Sequence, residues 1–220
     1  MATAPFQRLV LAVAHGEAGP VLLGHAAEAA RLLRLALHCV LIEDEALARL
    51  PALPFIRELR LPTHDWQPLD PARLAAEHEA AEAALRRTLE ALAARLGIAQ
   101  GLEVQRGDPV LCFGGLCTAG DIVVLADRPH REAHLRSLAR RSPAAVMLLP
   151  ARPARPAGLV ALAGDPARAT AERLAEAAGA ALRVVDTAEE AGAGLLVMGH
   201  DDWERAEQLV HRAGVVVLLV

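Results

Sequence analysis

Short apolar runs, bounded by turn residues and separated by stretches of helical period, constrain this chain more than any other feature. Arg8 to Ala14 (RLVLAVA), Leu37 to Ile42 (LHCVLI), Asp121 to Leu125 (DIVVL) and Ala145 to Leu149 (AVMLL) are apolar without alternation. That pattern belongs to strands covered on both faces, as in a parallel sheet. Leu102 to Gln105 adds a shorter strand. Between these runs lie Pro20 to Leu35, a short segment over Val110 to Thr118, and Arg131 to Arg141, each read as a helix. The clearest helix opens at Asp70-Pro71, where the carboxylate can cap free amides and proline loses nothing by lacking an N–H. Leu74, His78, Ala81, Leu85, Leu89, Leu92 and Leu96 recur every three or four residues up to Gly97, giving one apolar stripe. The intervening Glu43-Asp44-Glu45 and the Pro51, Pro54, Pro62 and Pro68 stretch read as a connector with at most short helical pieces. Strand and crossover helix in regular succession predict an α/β, doubly wound parallel sheet with right-handed connections.

The pattern then begins again. Pro150 to Pro156 (PARPARP) reads as a linker, and Gly158 to Ala163 ends in Gly164-Asp165 much as the first strand ends in His15-Gly16. A helix over Ala167 to Ala178 follows, then strands at Leu182 to Asp186 and Leu195 to Gly199, a helix over Trp203 to Ala213 and a strand over Val215 to Val220. The expected organisation is a first unit over 1–150, a linker over 151–157 and a second, truncated unit over 158–220 that lacks the long helix and third strand. A unit that small is marginal alone, so it is expected to pack on the first.

Composition removes several functions. The 220 residues include no lysine, so a lysine Schiff base and a Gly-Lys-Ser/Thr phosphate loop are excluded. A net charge of −4 gives no global attraction to nucleic acid or an anionic membrane. No run is long and apolar enough to span a bilayer, and Met1 to Phe6 leads directly into a strand pattern, so a cytoplasmic location is expected. Cys39, Cys112 and Cys117 are read as reduced core thiols, since an odd number without a secretory signal argues against a disulfide framework.

Three segments carry a resemblance. Leu102 to Pro109 (LEVQRGDP), Ala119 to Leu125 (AGDIVVL) and Gly194 to His200 (GLLVMGH) are similar to the third strand, Gly-Asp-Pro turn and fourth strand of the universal stress protein family. The resemblance implies an adenine nucleotide alpha hydrolase-like fold in two tandem repeats. In the nucleotide-binding branch of that family, an aspartate at the end of strand one and a glycine loop after strand four hold ATP. Glycine lets backbone amides approach phosphate closely. The loop's form is Gly, two residues, Gly, nine residues, Gly, then Ser or Thr; in the first unit those positions fall on Ala126, Pro129, Ala139 and Arg140. In the second unit Gly199 fits, Asp202 takes the next position, and Leu209 to Arg212 hold no glycine. The strand-one aspartate is replaced by Ala14 or His15, and by Ala163. No cofactor is therefore expected, and ATP binding in the usual family manner is disfavoured.

In a doubly wound sheet the binding crevice lies at the carboxyl ends of the strands. The candidate ligand-binding residues there are His15, Gly16, Asp127, Arg128, Gly164, Gly199 and His200, with Asp165, Asp201 and Asp202 close in sequence. No catalytic residue and no metal ligand is assigned. His130 and His134 have the spacing of a zinc pair but lack a third ligand, and with nine histidines in the chain a solvated helix face accounts for them. Cys112 and Cys117 are spaced too widely for a zinc knuckle. Arg128, Arg131, Arg136, Arg140 and Arg141, with Arg152 and Arg155 beyond, could receive an anion or simply form a charged helix face.

Val215 to Val220 (VVVLLV) must be paired or covered, because an open apolar edge aggregates. It either pairs with Ala145 to Leu149 within the chain or mediates self-association. Leu50 to Ile56 is a second apolar segment, expected to pack within the molecule. The function expected is a non-catalytic module in bacterial stress response that binds a protein partner, with no nucleic acid and no membrane insertion. The alternative is a small-molecule or nucleotide-binding switch using arginine and histidine in place of the glycine loop. The His-x-Gly-His motif of adenylate-forming relatives is absent.

Overall fold

The structure, a computed structural model, describes residues 5–14, 20–50, 53, 55–60, 64–116, 118–126, 133–151, 156–192 and 194–220. Its strands are β1 (Arg8–Ala14), β2 (Ala36–Asp44), β3 (Arg57–Arg60), β4 (Asp65–Pro68), β5 (Gln100–Gly107), β6 (Asp121–Ala126), β7 (Ala145–Leu149), β8 (Leu159–Leu162), β9 (Leu182–Val185), β10 (Leu195–Met198) and β11 (Val216–Leu219). The helices are α1 (Pro20–Leu33), α2 (Glu45–Arg49), α3 (Pro71–Leu96), α4 (Pro109–Leu116), α5 (Ala133–Ala139), α6 (Arg168–Ala178) and α7 (Trp203–Gln208).

Nine strands form one sheet in the order β5-β2-β1-β6-β7-β11-β10-β8-β9. The first five are mutually parallel, as are the last four, and the two sets meet in an antiparallel pair between β7 and β11. There Val217, Leu218 and Leu219 face Leu148, Met147 and Val146. The final strand is thus paired on both sides, and self-association through Val215 to Val220 is corrected: it has no free edge to offer. The sheet is parallel apart from this one junction. Read outward from it, each half runs last strand, next-to-last strand, first strand and second strand.

Both faces of the sheet are covered, as uninterrupted apolar strands require. Leu9, Leu11 and Val13 pack with α1, α3 and α6, whereas Val10 faces the side closed by Phe113 of α4, Ala139 of α5 and Trp203 of α7. The long helix behaves as its sequence dictates: Asp70 accepts a hydrogen bond from Ala72 N at 3.0 Å, and Gly97 closes the helix at φ 65°. Only Leu85, Leu89 and Ala93 of it are buried, and its N-terminal half is exposed or half-buried.

Two sequence expectations change. The connector after β2 holds α2 and an antiparallel two-stranded ribbon, β3 with β4, besides short helical structure. Within its apolar segment, Leu53 and Phe55 are exposed and do not pack against the core. Of the thiols, Cys39 is buried and burial pushes its pKa up to about 12; Cys112 is half-buried, and Cys117 lies outside the described residues.

Candidate functional site

The antiparallel junction decides which strand ends can meet. The carboxyl ends of β1 and β6, at Ala14 and Ala126, point to one end of the sheet, and those of β8, β10 and β11 point to the other. The ends of β1 and β6 on one side and those of β8, β10 and β11 on the other therefore lie at opposite ends of the sheet. His15, Gly16, Asp127 and Arg128 lie outside the described residues. Gly164, Gly199 and His200 are described, and they come together at the carboxyl end of the second half.

There Gly164 turns the chain at φ 82°, a backbone conformation that side chains rarely adopt. Asp165 then accepts a hydrogen bond from Ala167 N at 2.7 Å. Gly199 comes so near that a Cβ on it would stand 3.8 Å from Asp165 Oδ1. His200 donates its backbone N–H to Val220 O at 3.0 Å, and its ring lies 5.7 Å from that of Trp203. The Nε2 of His200 is buried with no hydrogen-bond partner among the described residues. Beside it opens a cleft of about 490 Å³ lined by Phe6, Ser142, Pro143, Thr170, Arg173 and His200, among others. Arg173 bonds Thr170 Oγ1 at 3.0 Å and has no carboxylate partner among the described residues. An imidazole, a guanidinium with no carboxylate partner among the described residues and apolar walls together suit a small organic anion. Phe6, Ser142, Thr170 and Arg173 carried no sequence signal, because only the antiparallel junction brings the start of β7 beside the end of β11.

At the opposite end the arginine-rich segment is used internally. Arg136, only 11% exposed, donates from Nη2 to Ala126 O at 2.7 Å and pairs through Nη1 with Glu207 Oε1 at 2.6 Å. Arg140 stands 3.8 Å from Glu204, and Arg141 donates to Ser137 O at 3.1 Å. The polar contacts of these three are made within the protein, to β6, to α7 and to the α5 segment itself. Arg131, Arg152 and Arg155 lie outside the described residues, as do the side chains of the His130 and His134 pair. Among the described residues no group of three or more His, Cys, Asp or Glu could hold a metal ion.

A polar lock sits at the start of β6. Asp121 is buried and accepts a bidentate pair from Arg8, at 2.9 and 3.1 Å, plus a bond from Thr118 Oγ1 at 2.7 Å. Burial alone would raise its pKa, but the Arg8 and Thr118 hydrogen bonds outweigh that and hold the carboxyl below its usual value.

A universal stress protein from Archaeoglobus fulgidus DSM 4304 superimposes with a TM-score of 0.58 over 99% of this chain and 97% of its own, at 13% identity. The chain has the universal-stress-protein fold. A structure from Pseudomonas aeruginosa UCBPP-PA14 named for the same family aligns over 96% of this chain and 73% of its own, at 11% identity and a TM-score of 0.39. No protein-family profile matches the sequence. No curated protein matches it either. At such identities the likeness is one of fold, so the universal-stress-protein fold fixes where strand ends lie and leaves their chemistry to the side chains. Among the described residues no helix is long and apolar enough to cross a membrane.

Proposed function

We propose that this protein is a non-catalytic binding module of regulatory type, made of two universal-stress-protein units, the second shortened, and that neither unit takes ATP in the usual manner of that family. The expected setting is the stress response of a bacterial cytoplasm. The repeated outward strand order of the two halves supports the two-unit reading. The observation that carries the loss of ATP binding is Arg136. Its guanidinium occupies the carbonyl of Ala126, the position where the family's loop begins, and ties it to Glu207 of the other half. Ala139, at a later loop position, is fully buried in the core, and Arg140 leans toward Glu204. In the second unit Gly199 is followed by Asp201 and Asp202, anions that oppose a phosphate.

A second reading, a small-molecule binder, is favoured by the cleft at His200 and Arg173. One experiment separates the two, because a ligand that binds only the native state raises its melting temperature. Thermal unfolding with millimolar ATP, ADP and cyclic nucleotides should show no shift. A saturable shift with any of them overturns the proposal. The same assay with small carboxylates and phosphates, repeated on Arg173→Ala, supports the second reading if a shift appears in the parent protein and vanishes in the variant.

A further inference from the structure

The cleft beside His200 draws its walls from both sides of the antiparallel junction. Phe6, which leads into β1, and Ser142 to Ala145, which lead into β7, come from the first five strands of the sheet. Thr170 and Arg173 of α6, with His200, come from the last four. The chemistry of these walls is lopsided. Among the described residues that line the cleft, Arg173 is the one permanently charged side chain, and no aspartate or glutamate is present. Glu172, beside Arg173 in sequence, is taken up by Arg168 at 2.9 Å. Ser142 is used in the turn into β7, where its hydroxyl donates to Ala139 O at 2.9 Å and accepts from Ala144 N at 3.3 Å. Val220 O accepts the His200 N–H. Thr170 Oγ1 accepts from Arg173 Nη2 at 3.0 Å and so keeps its own hydrogen for another acceptor. Phe6, Pro143, Ala144 and Ala145 make the remaining wall apolar.

Given the small-molecule reading of this cleft, on which this rests, we infer that its ligand is a monocarboxylic acid with a compact apolar body, held across the junction between the two halves. One guanidinium neutralises one negative charge, and its planar fork matches the two oxygens of a carboxylate. The Thr170 hydroxyl can donate a further bond to the same group. The apolar end then lies against Phe6 and Pro143, where burial of its surface supplies the rest of the affinity. A cleft of about 490 Å³ has room for a molecule built on a single ring. Phosphates suit it less, because they bring more charge than one guanidinium neutralises, and inorganic phosphate offers nothing to the apolar wall. His200 lines the same cleft and keeps a buried Nε2 with no partner among the described residues. Native proteins keep such an unmet bond where a small molecule or ion completes the set.

The test is a titration of the full, isotope-labelled chain with benzoate and isovalerate as probes and with benzamide and inorganic phosphate as controls. Benzamide keeps the ring without the charge, and phosphate the charge without the apolar body. Both probes should raise the melting temperature saturably, with millimolar or tighter dissociation constants. They should also shift the backbone amide signals of Phe6 and Ala144 together with those of Thr170, Arg173 and His200. The controls should do neither. Arg173→Gln should weaken benzoate more than about tenfold, the cost of losing a charge-assisted pair. Its ligand-free melting temperature should match the parent's, because Arg173 is exposed and its one side-chain hydrogen bond among the described residues goes to Thr170. Benzoate binding that survives Arg173→Gln overturns the proposal, as do amide shifts confined to one half. A response to phosphate alone overturns the carboxylate assignment while the small-molecule reading stands, and silence from every probe overturns both.

Discussion

Asp121 is the residue on which acid stability turns. Its carboxylate is buried, and Arg8 and Thr118 hold its proton affinity below that of the unfolded chain. Stability from this group is present above the unfolded carboxylate pKa of about 4 and is lost as pH falls through the lower folded value. Arg8→Ala leaves a buried anion with one donor fewer and should cost about 2 kcal/mol at neutral pH. Urea midpoints measured from pH 7 to pH 3 should fall for the parent protein and flatten in Arg8→Ala. Equal slopes in the two proteins would show that Asp121 is not the group lost. His25 moves in the same direction, since burial lowers its pKa and the unfolded chain takes up its proton first as pH falls. None of this was legible in the sequence: Asp121 was read there as the start of a strand, and Arg8 lies 113 residues away from it.

At the scale of elements, close approach between strands sets the tightest constraint. Gly194 leads into β10, and a Cβ placed on it would fall 2.2 Å from Val160 Cγ2 of the neighbouring β8. Gly194→Ala should therefore destabilise by roughly 2 kcal/mol through overpacking. Adding Val160→Ala removes the clashing methyl, so the double variant should be less destabilised than the summed singles by about 1 kcal/mol. Chemical denaturation of the four proteins closes that cycle, and strict additivity would mean that Val160 is not what excludes the side chain. The same glycine begins the Gly194 to His200 segment whose likeness to a fourth strand was visible in the sequence. A strand does run there, over Leu195–Met198, and its leading glycine packs against β8. The ribbon escaped sequence reading because proline punctuation hides its two four-residue strands, and its apolar residues face solvent, opposite to the usual pattern.

At the scale of the molecule, one sheet passes through both halves. The β7 and β11 pair is reinforced on one face by α1 against α6 and on the other by Arg136 with Glu207. Heat should unfold the chain in a single transition, with calorimetric and van't Hoff enthalpies equal. Two resolved transitions would mean that 1–150 and 158–220 fold as separate units. The second half, whose strands end the sheet at β9 among the described residues, meets the first through the β7 and β11 junction and is small enough to depend on it.

The sequence by itself determined the alternation of strand and helix, the capped α3, the apolar strands after Pro156 and the absence of a lysine-dependent phosphate loop, because these follow from periodicity and residue chemistry along the chain. It also left two partners for the last strand, one within the chain and one in another molecule. Only the tertiary structure decided between them. Pairing β11 against β7 in antiparallel sense reversed the second half, sent its strand ends away from Ala14 and Ala126, and placed His200 beside Arg173 and Ser142. Strand direction across a junction is set by long-range packing, which no local pattern of residues encodes.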